Sequence, residues 1–166
     1  SGDWSSDVVL FRSEWTPDGE ELLFSSLRTA DAELAWRQSE VYAVNVMSGS
    51  IRQLTTRNGQ DYSPLPSPTG DLIAYRGSDW HDDTYRNAGI YVMGRDGSNP
   101  RLISGGFDRS INGMQWAHDG RGLYLTVSSE GTRNLHFASV TGGVEAISEG
   151  EHMLALSSFT ADRSEE

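Results

Sequence analysis

The sequence predicts an all-β fold: a partial β-propeller of about three four-stranded antiparallel blades, plus the first strand of a fourth. One pattern occurs three times, as EWTPDGEELLFSS, LPSPTGDLIAYRG and QWAHDGRGLYLTV. In each copy an aromatic or proline position precedes a tight turn and an apolar strand. The turns start at Pro17, Pro68 and His118, so the copies are 51 and 50 residues apart. A fixed period of this length, with short strands and Gly-containing turns, is typical of propeller blades.

Each repeat contains four strands, A to D, in the same order. Strand A ends at the aromatic or proline position, a turn on Asp-Gly or Thr-Gly follows, and strand B is apolar. A longer connection leads to strand C, and a second Gly-containing turn leads to the short strand D. In the second repeat we expect the strands at about residues 61–67, 72–77, 89–94 and 100–104. These segments are rich in β-branched and aromatic residues and are bounded by Gly, Asp, Asn and Pro, as strands usually are.

A helical repeat is the structural alternative, and the sequence disfavours it. Only residues 30–39 place apolar side chains at helical spacing, where Thr29 and Glu33 predict one or two helical turns. The 18 glycines are too many for a helical array.

The whole chain, residues 1–166, is predicted to form one propeller unit. We expect blade 1 at about 8–58, blade 2 at about 59–108, blade 3 at about 109–152 and the start of blade 4 at about 153–166. Propellers usually contain four to eight blades. We therefore expect either a fragment whose parent polypeptide supplies the missing blades, or three-blade units that pair as a homodimer.

Composition excludes several function classes. The formal net charge is −11 and no lysine is present, which disfavours binding to nucleic acid because such binding depends on basic residues at phosphates. No apolar run is long enough to predict a membrane span. Without cysteine the chain has no disulfide, thiolate metal site or cysteine nucleophile. The compartment stays open between the cytoplasm and the periplasm of a bacterium.

Strand order predicts where a working surface lies. In a four-stranded blade the A–B and C–D turns lie on one face of the disc, while the B–C loops and the D–A links lie on the other. The turns of the first face are all short, whereas we expect longer B–C loops at about residues 26–40, 78–88 and 129–134. Long loops on a rigid sheet scaffold commonly carry binding residues, so we expect the second face, the loop face, to meet a substrate or partner.

Two of these loops supply the candidate site residues. From the first and second loops we select, as substrate- or partner-facing residues, Glu33, Trp36, Arg37, Asp79, Trp80, Tyr85 and Arg86. The alternative for the first loop is that Leu34 and Trp36 pack over their own blade. The second loop also holds His81, Asp82 and Asp83, but their spacing fits no established metal loop. We therefore predict no metal and no other cofactor.

Recognisable catalytic machinery is missing from the sequence. The chain contains no G-x-S-x-G, H-E-x-x-H, P-loop or G-x-G-x-x-G motif. His118 and His136 lack a neighbour in sequence that makes a catalytic pair, so we interpret both as structural. Trp15 and Trp116 occupy the same position of the repeat and are interpreted as residues that pack one blade on the next. We assign no catalytic residue.

The best-preserved repeat resembles a known propeller type. Residues 67–75 read SPTGDLIAY and residues 90–104 read IYVMGRDGSNPRLIS. This pattern is similar to the WD-like repeat of TolB-type propellers and of the N-terminal propellers of the prolyl oligopeptidase family of serine peptidases. The segments FDRS, at 107–110, and QWAHDGRGLY, at 115–124, resemble bacterial acylaminoacyl-peptidase-like members. The resemblance extends over about residues 8–163.

This resemblance implies a parent protein with a separate α/β-hydrolase domain, in which a Ser-His-Asp triad cleaves short peptides. The propeller of such an enzyme admits and docks the peptide substrate. The paired glutamates with which dipeptidyl peptidases of this family bind a free amino terminus have no match, because Glu20 and Glu21 follow a turn on the other face. The alternative is a non-enzymatic TolB-type propeller that binds a protein partner.

Overall fold

The computed structural model describes residues 13–27, 38–79, 87–151 and 153–156. These residues form twelve strands in three sheets of four, each sheet built from consecutive antiparallel strands. The strands are β1 (Ser13–Trp15), β2 (Glu21–Ser26), β3 (Glu40–Asn45), β4 (Ile51–Gln53), β5 (Gly59–Pro66), β6 (Leu72–Asp79), β7 (Gly89–Gly94), β8 (Arg101–Leu102), β9 (Ser110–Trp116), β10 (Gly122–Ser129), β11 (Thr132–Ser139) and β12 (Val144–Ala146).

Each sheet is one blade, with its strands in the predicted order A to D. Strands β1–β4 form blade 1, β5–β8 form blade 2 and β9–β12 form blade 3. The predicted fold, an all-β partial propeller with three four-stranded blades, is therefore confirmed. Of the segment expected to open a fourth blade, at about 153–166, residues 153–156 are described, and Met153 forms an isolated parallel bridge with Arg133. The rest of that segment and the helical turns expected in the first B–C loop lie outside the described residues.

The B–C connection of blade 3 differs from the prediction of a loop at 129–134. Strands β10 and β11 pair as far as Ser129 and Thr132, so only Glu130 and Gly131 connect them. Both residues have positive φ, 47° and 82°. Two consecutive residues of positive φ form the tight hairpin turn whose twist matches that of its strands. The prediction of a long third loop was wrong because Glu130-Gly131 closes a hairpin.

The A–B turns repeat one conformation in all three blades. The amide of the turn glycine, at Gly19, Gly70 and Gly120, donates to the carbonyl three residues earlier at 2.8–2.9 Å. These glycines have φ between 70° and 78°, a left-handed conformation that only glycine adopts without strain. This requirement explains why the glycine is present in every copy of the sequence pattern.

A hydroxyl group at the end of each strand D closes the blade. Thr55, Ser104 and Ser148 accept hydrogen bonds from the amides of Val41, Ile90 and Leu135, at 2.9, 3.0 and 2.9 Å. The donors are equivalent positions of strand C, next to the short strand D. The hydroxyl replaces a backbone partner for an amide that would otherwise be unpaired, which explains the Leu-Thr or Ile-Ser ending of each repeat.

Two hydrophobic clusters lie between the blades and join them in sequence. The first lies between blades 1 and 2 and contains Leu23, Val41, Ala43, Leu54, Ile73, Tyr75 and Met93. The second lies between blades 2 and 3 and contains Ala74, Ile90, Val92, Ile103, Trp116, Leu123, Leu125, Val127 and Ala138. Blade 2 contributes to both clusters, because alternate residues of β6 point to opposite faces of the sheet.

The two tryptophans of the shared repeat position differ in environment. Trp116 is 5% exposed, and its indole Nε1 donates to the carbonyl oxygen of Leu65 in the preceding blade at 2.9 Å. Trp15 occupies the same position in blade 1 but is 58% exposed. The predicted role in packing one blade on another is therefore confirmed for Trp116, whereas Trp15 has no such contact with a described blade.

An ion-pair network joins blades 1 and 2 on the turn face. Arg52 donates to both carboxylate oxygens of Glu21 at 3.0 Å. Arg95, from the C–D turn of blade 2, donates to Glu21 at 3.1 Å and also to Asp18. The hydrogen bond from Arg95 holds the pKa of Asp18 well below its usual range. Glu21 therefore connects two blades, on the face opposite the loops.

Replacing Trp116 with alanine should cost about 3–5 kcal/mol of unfolding free energy, because a buried aromatic side chain is lost from the interface of two blades. The same change at Trp15 should cost less than about 1 kcal/mol, since exposed positions contribute little. Chemical denaturation of the two variants measures both values. Equal destabilisation would contradict the assignment of Trp116 to a blade interface.

Candidate functional site

The loop face holds the described part of the predicted site. Of the seven selected residues, only Asp79 lies within the described residues, at the end of β6. Glu33, Trp36 and Arg37 of the first loop lie outside the described residues. The same is true of Trp80, Tyr85 and Arg86 of the second loop, so their contact with a substrate or partner stays a prediction.

Asp79 pairs with Arg57, a residue of the link between blades 1 and 2. Arg57 Nη1 donates to Asp79 Oδ1 at 2.8 Å and to the hydroxyl of Tyr91 at 2.9 Å. Arg57 Nε donates to Asp61 Oδ1 at 2.9 Å. The guanidinium carbon lies 4.0 Å from the ring centroid of Tyr91, within the range of a cation–π interaction. Three side chains of the loop face, those of Asp61, Asp79 and Tyr91, therefore meet at one guanidinium.

Asp61 is the buried member of this cluster. Its side chain is 1% exposed, and burial raises its pKa while the adjacent Arg57 opposes the rise. A Cβ atom at Gly77 would lie 2.6 Å from Asp61 Oδ1 and 3.0 Å from the Tyr91 ring. The glycine is therefore required for space. Because a buried carboxylate needs a partner, Arg57 serves first to stabilise the junction of blades 1 and 2.

Aromatic side chains stack across strands B and C in blades 1 and 2. Tyr75 and Tyr91 are cross-strand partners with ring centroids 5.5 Å apart, and Phe24 and Tyr42 form the equivalent pair of blade 1 at 5.6 Å. Burial raises the pKa of Tyr75 to about 12. Tyr75 therefore remains a neutral phenol at physiological pH.

A second, half-buried carboxyl group lies next to the cluster. Glu40, at the start of β3, accepts a short hydrogen bond from the hydroxyl of Thr55. Burial raises the pKa of Glu40, and the nearby carboxylate of Asp61 adds to the rise. The hydroxyl that closes blade 1 is therefore itself fixed by a carboxyl group of the loop face.

Two clefts open on the loop face at equivalent positions of successive blades. The blade 2 cleft has a volume of about 490 Å³ and the blade 3 cleft about 370 Å³. Both volumes lie in the lower half of the range of small-molecule sites. Equivalent lining residues, related by the strand registers, are Gly77 and Val127, Asp79 and Ser129, Tyr91 and His136, and Ser104 and Ser148.

The lining of the two clefts differs in charge. The blade 2 cleft contains the carboxylates of Asp79 and Asp108, the latter bonded to Asn87 at 3.0 Å. Arg109 and Glu149 supply the formal charges of the blade 3 cleft, which also contains His136. The loop face therefore has two clefts at equivalent positions of the blades, and the clefts differ in their charged residues.

Sequence reasoning missed Arg57 and both clefts. Arg57 lies in a link between blades, and its partners come from three other strands, so no local motif marks it. Its position four residues before Asp61 is the one local signal, since an arginine and an aspartate so spaced on a short link can pair. Each cleft is lined by one blade and its neighbouring link residues, which lie far apart in sequence, so no local pattern displays it.

In the described part of the chain, the carboxyl, hydroxyl and imidazole groups of the loop face bind other groups or line the clefts, as Asp61, Thr55 and His136 do. No group of three or more His, Asp or Glu in the described part of the chain is arranged to hold a metal ion. Within the same residues, no helix is long and apolar enough to cross a membrane.

Known proteins with the same fold include peptidases and TolB. No protein-family model matches the chain. Over 144 residues, 83% of its length, the chain is 27% identical to Dipeptidyl-peptidase 5 of Porphyromonas gingivalis, of which it spans 21%. TolB from Acinetobacter baumannii superimposes with a TM-score of 0.62 over 84% of this chain and 32% of that one, at 18% identity. Acylaminoacyl peptidase from Pyrococcus horikoshii gives 0.64 over 84% and 21%, at 20% identity.

These comparisons define the class of protein. The chain is a β-propeller segment of the type found in TolB and in acylaminoacyl peptidase, so the resemblance predicted from the repeat is confirmed. In sequence it is similar to part of a dipeptidyl peptidase, and it spans about a fifth of that relative's length.

Replacing Arg57 with methionine should destabilise the fold by about 3–5 kcal/mol, because it leaves the buried carboxylate of Asp61 without its partner. Replacing Asp79 with asparagine should cost less than about 1 kcal/mol, since its side chain is 63% exposed. Denaturant unfolding at neutral pH compares the two. A larger loss for the Asp79 variant would show that Arg57 is held chiefly by the loop and not by the buried carboxylate.

Tyr75 should make stability fall at alkaline pH. The unfolded chain releases the tyrosine proton near the ordinary pKa of 10, whereas the folded chain retains it to about 12. The stabilisation from Tyr75 is therefore complete below pH 10 and lost as the pH rises to 12. Replacing Tyr75 with phenylalanine should reduce this fall by roughly 1–3 kcal/mol. Unfolding curves at pH 9 and 12 that fall in parallel for both proteins would contradict the assignment.

Proposed function

We propose that this propeller segment belongs to a serine peptidase of the prolyl oligopeptidase family, where it gates and docks short peptide substrates. The observation that carries the proposal is the sequence similarity to Dipeptidyl-peptidase 5, which extends over most of this chain. The catalytic triad of such an enzyme would lie in a separate α/β-hydrolase domain of the parent polypeptide. The role of the present residues is recognition.

The arrangement of the loop face supports this role. Its clefts have the volume of small-ligand sites, and the cluster around Arg57 fixes the base of the second loop through Asp79. A rigid base under a polar loop is the arrangement by which propellers and other sheet scaffolds position binding residues. The turn face, by contrast, has short turns and an ion-pair network around Glu21.

Labelling of the natural full-length protein with a fluorophosphonate probe tests the enzymatic part of the proposal. A serine peptidase is labelled covalently at its nucleophile, and prior heat denaturation abolishes the labelling. A folded, expressed protein that takes no label would contradict the assignment to a serine peptidase.

Loop variants test the gating part. In the full-length enzyme, replacing Trp80 or Arg86 with alanine should lower kcat/KM for short peptides by about tenfold, the effect of one lost hydrogen bond to a charged or polar group. Hydrolysis of a small activated ester should be unchanged, because it needs no docking. Asp96→Asn, on the turn face, is the matched control and should leave both rates unchanged. Equal losses on peptide and ester would contradict a docking role.

A non-enzymatic propeller that binds a protein partner is the second candidate, and the structural similarity to TolB favours it. In that case the same loop face would bind the partner. A full-length protein without fluorophosphonate labelling, whose partner binding is lost on replacing Trp80 or Arg86, would support this function over the first.

A further inference from the structure

The blade 3 cleft differs from its counterpart in what fills it. In blade 2 the ring of Tyr91 is covered by Arg57, a cation that the link from the preceding blade supplies. The corresponding link residue in blade 3 is Phe107, whose ring meets His136 edge-on at 5.3 Å. The carboxylates that hold Arg57, Asp61 and Asp79, correspond through the strand registers to Ile111 and Ser129. Blade 3 has therefore lost both the internal cation and the carboxylates that hold it.

His136 is the unpaired group of this cleft. Its side chain occupies the position of Tyr91 and Tyr42 in the other blades, is 7% exposed, and its Nδ1 atom has no hydrogen-bond partner in the described structure. The neighbouring polar groups are occupied: Asn134 donates to the carbonyl of Gly150 at 3.0 Å, and Ser148 bonds to Asn134 at 3.3 Å. An unpaired buried polar group of this kind requires an explanation.

The rest of the lining defines the ligand chemistry. One wall is apolar and consists of Phe107, Val127 and Val144, while the exposed side chain of Arg109 stands at the rim. Without Asp61 and Asp79 equivalents, the cleft has no buried carboxylate to hold a cation. Glu149, also at the exposed rim, is the one acidic side chain of the lining and opposes an anion.

We infer that the blade 3 cleft binds a small carboxylate with a short apolar body. The carboxylate accepts hydrogen bonds from the guanidinium of Arg109 and the imidazole of His136, and the apolar body lies against Phe107 and Val127. A half-turn about the broad χ2 torsion of His136 brings a ring nitrogen toward the cleft without moving β11. Binding of a carboxylate in this cleft does not require peptidase activity, so its test is independent of the test of the proposed function.

Titration of the full chain with 3-phenylpropionate, followed by the NMR signals of the histidine rings, tests the inference. We expect a saturable shift of the His136 signals and none for His118, which lies on the turn face. The uncharged analogue 3-phenylpropanamide should bind at least about tenfold more weakly, because it lacks the charge-assisted hydrogen bonds.

Three variants identify the groups involved. Arg109→Gln should weaken binding about tenfold or more, and Glu149→Gln should strengthen it. His136→Leu should abolish binding because it removes both ring nitrogens, and its thermal unfolding serves as the folding control. Equal affinity for acid and amide, the absence of a saturable His136 shift, or unchanged affinity of the Arg109 variant would overturn the inference.

Discussion

The rest of this structure depends on the contact between one blade and the next. A four-stranded blade has two faces that are largely apolar, and it can bury both only against other blades. Blade 2 does this on both sides, through the two hydrophobic clusters. Trp116 shows how specific the contact is, because it both fills the interface and donates its indole hydrogen to a backbone carbonyl of the neighbouring blade. The exposed Trp15 presents the same group without a described blade to receive it.

The two faces of the disc differ in the groups that they present. On the turn face the A–B turns are short and contain left-handed glycines, and Arg95 of blade 2 pairs with Asp18 and Glu21 of blade 1. On the loop face, the links and the ends of strands B and C form the junction around Arg57 and line the two clefts. The chemistry of each cleft therefore depends on the side chains that its blade and links supply.

Repetition makes the differences between blades informative. The cross-strand position held by Tyr42 and Tyr91 is held by His136 in blade 3, and Gly77 is replaced by Val127. In blade 2 the glycine makes room for Asp61, whose carboxylate requires Arg57. Blade 3 has neither this glycine nor the aspartate and arginine, so the two clefts differ at several neighbouring positions together. Blades can therefore keep the same packing residues while the residues that line their clefts differ. One fold can in this way carry different recognition sites.

The sequence by itself determined the fold: the period, the turn glycines and the Leu-Thr or Ile-Ser endings predict three blades, because each is a local requirement of turn or strand. It also placed the loop face correctly, since strand order alone decides which connections lie together. It misjudged the third loop, where Glu130-Gly131 closes a hairpin, and it missed Arg57, whose partners Asp61, Asp79 and Tyr91 lie on different strands. Only the tertiary structure decided these contacts and the two clefts, because they join residues far apart in sequence that only the folded blade brings together, and no local pattern encodes such contacts.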